Sequence, residues 1–130
     1  MDTVTNRLVV TVASAGADAA RVTVSGNLDV LTTAAFQSRL ESALPLDRLG
    51  LLELDLAEVT FFDVAGARHV TELHRAAAAR RCRVVVVDAS DVVELVLVAL
   101  GHRDLLGYLR PEADASPEPG GEQLPGAAAP

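Results

Sequence analysis

The sequence has no tryptophan, no lysine, a single cysteine and very few aromatic side chains (three Phe, one Tyr). Each scarcity closes off a class of protein. Without Lys there is no Gly-rich phosphate loop of the kind that ends in Lys-Ser/Thr, and no Gly-x-Ser-x-Gly elbow presents a nucleophile. One cysteine, Cys82, can form no internal disulfide and can anchor no metal cluster; flanked by an apolar run, it reads as a small core residue. No apolar stretch approaches the ~18 residues of a membrane-spanning helix. The N-terminus, MDTVTNRLVV, lacks the basic segment and long apolar core of a signal peptide. These absences lead us to expect a cytoplasmic protein that does not associate with membranes.

What is present suits one small α/β domain. The chain has 130 residues, half of them hydrophobic, which is enough for one core and too little for two. With so few aromatics, that core must be built from Val, Leu and Ala. The formal charge is -7, but Glu112, Asp114, Glu118 and Glu122 carry much of it beyond the last basic residue, Arg110. The body is only mildly acidic and has no electrostatic reason to bind nucleic acid. Residues 111–130 hold five of the six prolines and almost no large apolar side chain. Such a segment cannot offset its ordering entropy. We therefore expect a domain at 1–110 followed by a disordered acidic tail at 111–130.

Along the body, 7–13 and 20–26 are short and β-branched and read as an antiparallel hairpin, with SAGADA connecting them. GNLDVLTT (26–33) reads as a loop leading into a helix capped by Thr32 or Thr33. Phe36, Leu40 and Leu44 give that helix an apolar face, and Pro45 ends it. A buried strand is expected over 51–56, with a short connection at 57–60. A second helix follows over 66–80, with Ala67, Val70, Leu73, His74 and Ala77 facing inward and Asp63 placed to cap it. CRVVVVDAS (82–90) reads as a central strand covered on both faces. A third helix spans 91–101 between Ser90 and Gly101. It is apolar nearly all round, so either part of its surface is open to a partner or the last stretch, LLGYLR, covers it. The order β-β-α-β-α-β-α implies a mainly parallel sheet with an antiparallel N-terminal edge.

Candidate chemistry is sparse. His69 and His74 lie five apart, not at the four-residue spacing of a helical zinc pair. His102 follows the third helix and suits a dipole-stabilising or surface role. Asp29 is placed to fix the loop before the first helix, and Asp55 lies in a Leu-Asp-Leu alternation near an expected strand end. No constellation supports catalysis, so no enzyme activity, cofactor or metal is expected.

The ordered pieces resemble a known family. Gly26-Asn27-Leu28-Asp29 with Thr32, Leu54-Asp55-Leu56, Val59-Thr60-Phe61-Phe62-Asp63 with Gly66, then Val-Val-Val-Asp-Ala-Ser and Leu-Val-Ala-Leu-Gly look like a STAS domain, the fold of bacterial anti-sigma factor antagonists. The resemblance spans roughly residues 5 to 110. It implies a mixed sheet of four or five strands packed by three or more helices. It also implies a protein partner, an anti-sigma factor of the kinase-like ATPase type. In the antagonists that partner binds the unmodified domain and phosphorylates the serine after the motif Asp, which breaks the complex. Here the sequence departs from the family. Val64 stands at the phosphoacceptor position and Ala65 at the hydroxyl position after it, so neither can take a phosphate. Thr60, the nearest hydroxyl, reads as a turn residue. Mapped residue by residue, the partner-docking set is Asp29, Thr32, Asp63, Val64, Ala65, Gly66 and Arg68. A phosphorylation-blind binding module is the expectation. The alternative is an accessory STAS subunit of a larger complex, such as a lipid-transport ATPase or a stress-signalling scaffold, with residues 92–100 offering a surface for a homodimer or larger assembly.

Overall fold

The computed structural model describes residues 8–109; the expected tail at 111–130 lies outside them. Strands β1 (Leu8–Gly16), β2 (Ala19–Leu28), β3 (Leu51–Phe62) and β4 (Arg83–Ala89) form one sheet in that order. β1 pairs antiparallel with β2, and β2, β3 and β4 run parallel. Helices α1 (Thr33–Ala43), α2 (Val64–Ala78) and α3 (Asp91–Ala99) complete the domain. The expected mixed sheet with an antiparallel N-terminal edge is thus the one observed.

The crossovers β2-α1-β3 and β3-α2-β4 step the same way along the sheet. Right-handed connections of that kind place both helices on one face. Burial follows this arrangement with period two. Val22, Val24, Leu52, Leu54, Leu56 and Val86 are fully or almost fully buried beneath the helices. The alternate positions, Arg21, Thr23, Glu53, Asp55 and Arg83, lie on the other face, where Arg21 Nη2 pairs with Glu53 Oε1 at 2.9 Å. This corrects the expectation for 82–90. β4 lies at the end of the strand order and is covered on one face only, and its run of Val was misleading because Val85 and Val87 stay half-exposed. The outer edge of β4 is partly closed by the last segment: Leu106 bridges Val86, and Gly107 N–H donates to Val86 O at 2.9 Å. A Cβ on Gly107 would meet Val85 Cγ2 at 2.3 Å, so any side chain there would have to displace Val85.

Several element boundaries differ from the sequence reading. The hairpin turn tightens to Ala17–Asp18, and β2 continues through Asn27 and Leu28. β3 does not stop at Leu56. It runs on to Phe62 and carries an extra residue at each of two bulges, opposite Thr23–Ser25 and Gly26–Asn27, which keep it paired to the end of β2. Asp55 and Thr60 are therefore strand residues, not strand-end and turn residues. α2 begins at Val64, two residues before the expected start, because Asp63 caps it.

The helix ends follow local chemistry. α1 stops at Ala43, just before Leu44 and Pro45, as expected. α2 ends without glycine. Cys82 N–H donates to Ala77 O at 2.8 Å and Arg81 N–H to Ala78 O at 3.0 Å, with Arg81 in the left-handed region at φ 62°. These bonds form a Schellman closure on a residue that disfavours it. α3 closes the same way on Gly101 at φ 86°, where the sequence placed its end. At its start, Ser90 occupies the cap position but makes no side-chain cap bond, and its Oγ is buried without a hydrogen-bond partner.

Candidate docking corner

The loop between β2 and α1 and the N-terminus of α2 are fastened to each other. Asp63 Oδ1 accepts the Gly66 N–H at 2.9 Å, and its Oδ2 accepts the Val30 N–H at 3.3 Å. One carboxylate thus caps a helix and ties down a loop. The Asp-x-x-Gly frame has a second physical basis. A Cβ on Gly66 would lie 2.3 Å from Leu28 O and 3.1 Å from Phe62 Cδ1. Only a residue without a side chain lets the first turn of α2 rest on the end of β2.

The loop is also held from within. Asp29 is 6% exposed, and its Oδ1 accepts the N–H groups of Leu31 and Thr32 at 2.9 and 3.2 Å. Thr32 Oγ1 donates to Asn27 O at 2.8 Å and accepts the Asp29 N–H at 3.0 Å. This corrects the capping role expected of Thr32. It occupies the N-cap position, yet its hydroxyl turns back into the loop and bonds no N–H of α1. The competing acceptor and donor of the buried loop outweigh the helix, because an unpaired buried backbone group costs about 1–3 kcal/mol.

The seven residues assigned by resemblance divide by position. Asp29, Thr32 and Gly66 are buried, Asp63 and Ala65 are half-buried, and Val64 and Arg68 are exposed. The first five shape the corner and the last two face solvent. Three apolar residues missed by the sequence reading join Val64 there. Val30, Leu31, Phe61 and Val64 are 69%, 68%, 51% and 56% exposed. All four lie on the two segments that Asp63 connects. The available signal was Val30-Leu31, an apolar pair inside an otherwise turn-like stretch. Phe61 was legible only once β3 was known to extend to Phe62, which turns Phe62 inward and Phe61 out.

The histidines lie elsewhere. His69 sets its ring edge-on to Phe36, with centroids 5.4 Å apart, and burial holds its pKa below the ordinary value. His74, expected to face inward, is half-buried. Cys82 is a buried core thiol, as read from the sequence, and burial raises its pKa. Among the described residues no group of His, Cys, Asp and Glu could hold a metal ion, and no helix is long and apolar enough to cross a membrane.

Comparison with known proteins settles the family. A family profile described as "Mlab, STAS domain" matches residues 11–107. The chain belongs to the STAS domain family. Its fold is similar to that of the anti-sigma factor antagonist SpoIIAA in its unphosphorylated form, with a TM-score of 0.66 at 15% identity over 82% of this chain and 93% of that one. The phosphorylated form of SpoIIAA, described as a Bacillus cell fate determinant, gives a TM-score of 0.62 at 14% identity, covering 82% of this chain and 96% of that one. An anti-sigma factor antagonist from Mycobacterium paratuberculosis gives 0.66 at 18% identity, covering 87% of this chain and 94% of that one. At these identities the likeness concerns the fold. No curated protein matches the chain. Within the STAS frame, Val64 is the first residue of α2 and sits directly after the capping Asp63.

Proposed function

We propose that this STAS domain is a non-enzymatic regulatory binding protein of the anti-sigma factor antagonist kind, working in the cytoplasm and insensitive to phosphorylation. Its partner is an anti-sigma factor of the kinase-like ATPase type. The observation that carries this reading is the exposed apolar set Val30, Leu31, Phe61 and Val64 on a corner fastened by Asp63. Apolar side chains held on a rigid frame are what a protein partner can desolvate at low entropic cost. Arg68, exposed on the same helix, is available to an acidic group of the partner.

A phosphate at the Val64 position would bring about -1.5 to -2 charges beside the Asp63 carboxylate and into a packed interface. Val64 keeps this position uncharged at all times. Val64→Asp imitates the modified state, and an acidic residue in the first turn of a helix is not harmful to folding. The test is affinity purification of the tagged protein from its own cells, wild type beside Val64→Asp, with mass spectrometry of what co-purifies. Recovery of a kinase-like anti-sigma factor with wild type and its loss with the charged variant is the expected result. Binding that ignores Val64→Asp, or phosphate incorporated at this loop by the partner, would refute the reading.

A second reading rests on a different surface. Leu95, Val98 and Leu100 are 69%, 38% and 43% exposed. Leu105 and Leu106 of the last segment are buried, and Tyr108 Oη donates to Glu94 Oε1 at 2.9 Å, so that segment covers α3 only in part. The uncovered side suits an accessory STAS subunit held in a larger complex, such as a lipid-transport ATPase or stress-signalling scaffold, or a homodimer through 92–100. Co-purification of a transporter ATPase that survives Val64→Asp and is lost with Leu95→Asp would favour it.

A further inference from the structure

A well-formed concave site of the domain lies away from the docking corner. It is a groove of about 410 Å³ between α1 and α2, and it shares no residue with the loop at 29–32 or with the start of α2. Its apolar lining comes from Leu40 and Leu44 on the α1 side, Leu46 beyond Pro45, and Leu73 and Ala76 on α2. A volume of this size is in the range of small-molecule sites, roughly 300–1,000 Å³.

The acidic side chains around the groove outnumber the single arginine among its lining residues. Glu41 from α1 and Glu72 from α2 both line it, and both act electrostatically on His69 between them. The cation at the far end, Arg80, is engaged: its Nε lies 3.0 Å from Asp47 Oδ1. Burial of His69 lowers its pKa and so disfavours its charged form. Gln37 Nε2 donates to Glu41 Oε2 at 2.9 Å, which orients that carboxylate without neutralising it. Glu41 and Glu72 thus border an apolar floor, and the Arg80 guanidinium in the same lining is paired with Asp47 rather than with them.

We propose that the α1–α2 groove is a binding site for a small hydrophobic organic cation, its apolar body on Leu40, Leu44 and Leu73 and its ammonium group between Glu41 and Glu72. An anion would meet two like charges, and a neutral apolar molecule would leave both carboxylates unpaired. The site is independent of the docking corner, so its occupancy can be tested without any protein partner.

The test uses the full chain, labelled with ¹⁵N, and three probes that share one skeleton: 4-phenylbutylamine, 4-phenylbutanol and 4-phenylbutyrate. Each is titrated at pH 7.5 while amide shifts are followed. The amine is expected to move the amides of Leu40, Leu44, Leu73 and Ala76 and to bind about fivefold more tightly than the alcohol, as one ion pair close to water provides. The butyrate is expected to be weaker than the alcohol. In the Glu41→Gln/Glu72→Gln double variant, whose two sites are exposed and whose spectrum reports its folding, the preference for amine over alcohol should disappear. Amine shifts scattered away from the groove, equal binding of the three probes, or an amine preference that survives in the double variant would each overturn the proposal.

Discussion

Asp63 Oδ2 accepts the Val30 N–H at 3.3 Å across 33 positions of chain, while its other oxygen holds Gly66 N–H at 2.9 Å. The two loops of the corner are thus hinged on one carboxylate. Asp63→Ala removes both acceptors. It should destabilise the domain by about 1–2 kcal/mol, the range for loss of a helix cap, as read by urea denaturation. Asp63→Asn should lose less, because its amide oxygen can still accept from Gly66.

Gly66 supports the same corner through the absence of a side chain. Gly66→Ala would press a methyl group against Leu28 O, a backbone atom that cannot swing aside. Overpacking of this kind costs about 1–3 kcal/mol or more. The expected outcome is a lowered denaturation midpoint and a partner affinity reduced along with it. An unchanged midpoint would show that α2 can shift away from β2 freely.

Arg81 offers a change in the opposite direction. It closes α2 at φ 62°, where a side chain is strained. Arg81→Gly should stabilise the domain by up to ~1 kcal/mol, the strain relieved being partly offset by the greater freedom of glycine in the unfolded chain. Gly101 already serves α3 this way, so Gly101→Ala should destabilise where Arg81→Gly stabilises. Equilibrium denaturation of both variants checks the pair.

His69 makes stability depend on pH. Burial depresses its folded pKa below 6.5, and the nearby Glu72 and Glu41 only partly counter this. The unfolded chain then binds a proton more readily than the folded one, so acid favours unfolding. The contribution is fully present above the unfolded pKa of about 6.5 and is lost as pH falls below it. Denaturation at pH 7.5 and 5.5 should show a smaller fall for His69→Gln than for wild type.

Much of this was legible in the amino-acid sequence because it depends on local chemistry. The period-two and period-four apolar patterns mark the elements, Pro45 and Gly101 mark helix ends, and Asp63 is recognisable as a cap because its acceptor lies three residues from the N–H it takes. The ordered motifs pointed to the STAS family. Other features depended on partners far apart in the chain. Whether β4 is central or at the edge is decided by strand order, and a run of valines reads the same in either place. The course of β3 depends on bulges within it that keep it in register with a strand far away in the chain. Thr32 gives up its cap because Asn27 and Asp29 bring a buried acceptor and donor to its hydroxyl. Val30 becomes part of the corner only when Asp63 reaches it. The groove exists only because α1 and α2 pack side by side on one face of the sheet. The sequence by itself determined most of the elements and the helix ends at Asp63, Pro45 and Gly101, since a cap or a helix stop involves neighbours in the chain. Tertiary structure alone decided which face of the sheet is covered, which apolar residues remain exposed and which side chains line the α1–α2 groove, since those are set by packing between segments the sequence keeps apart.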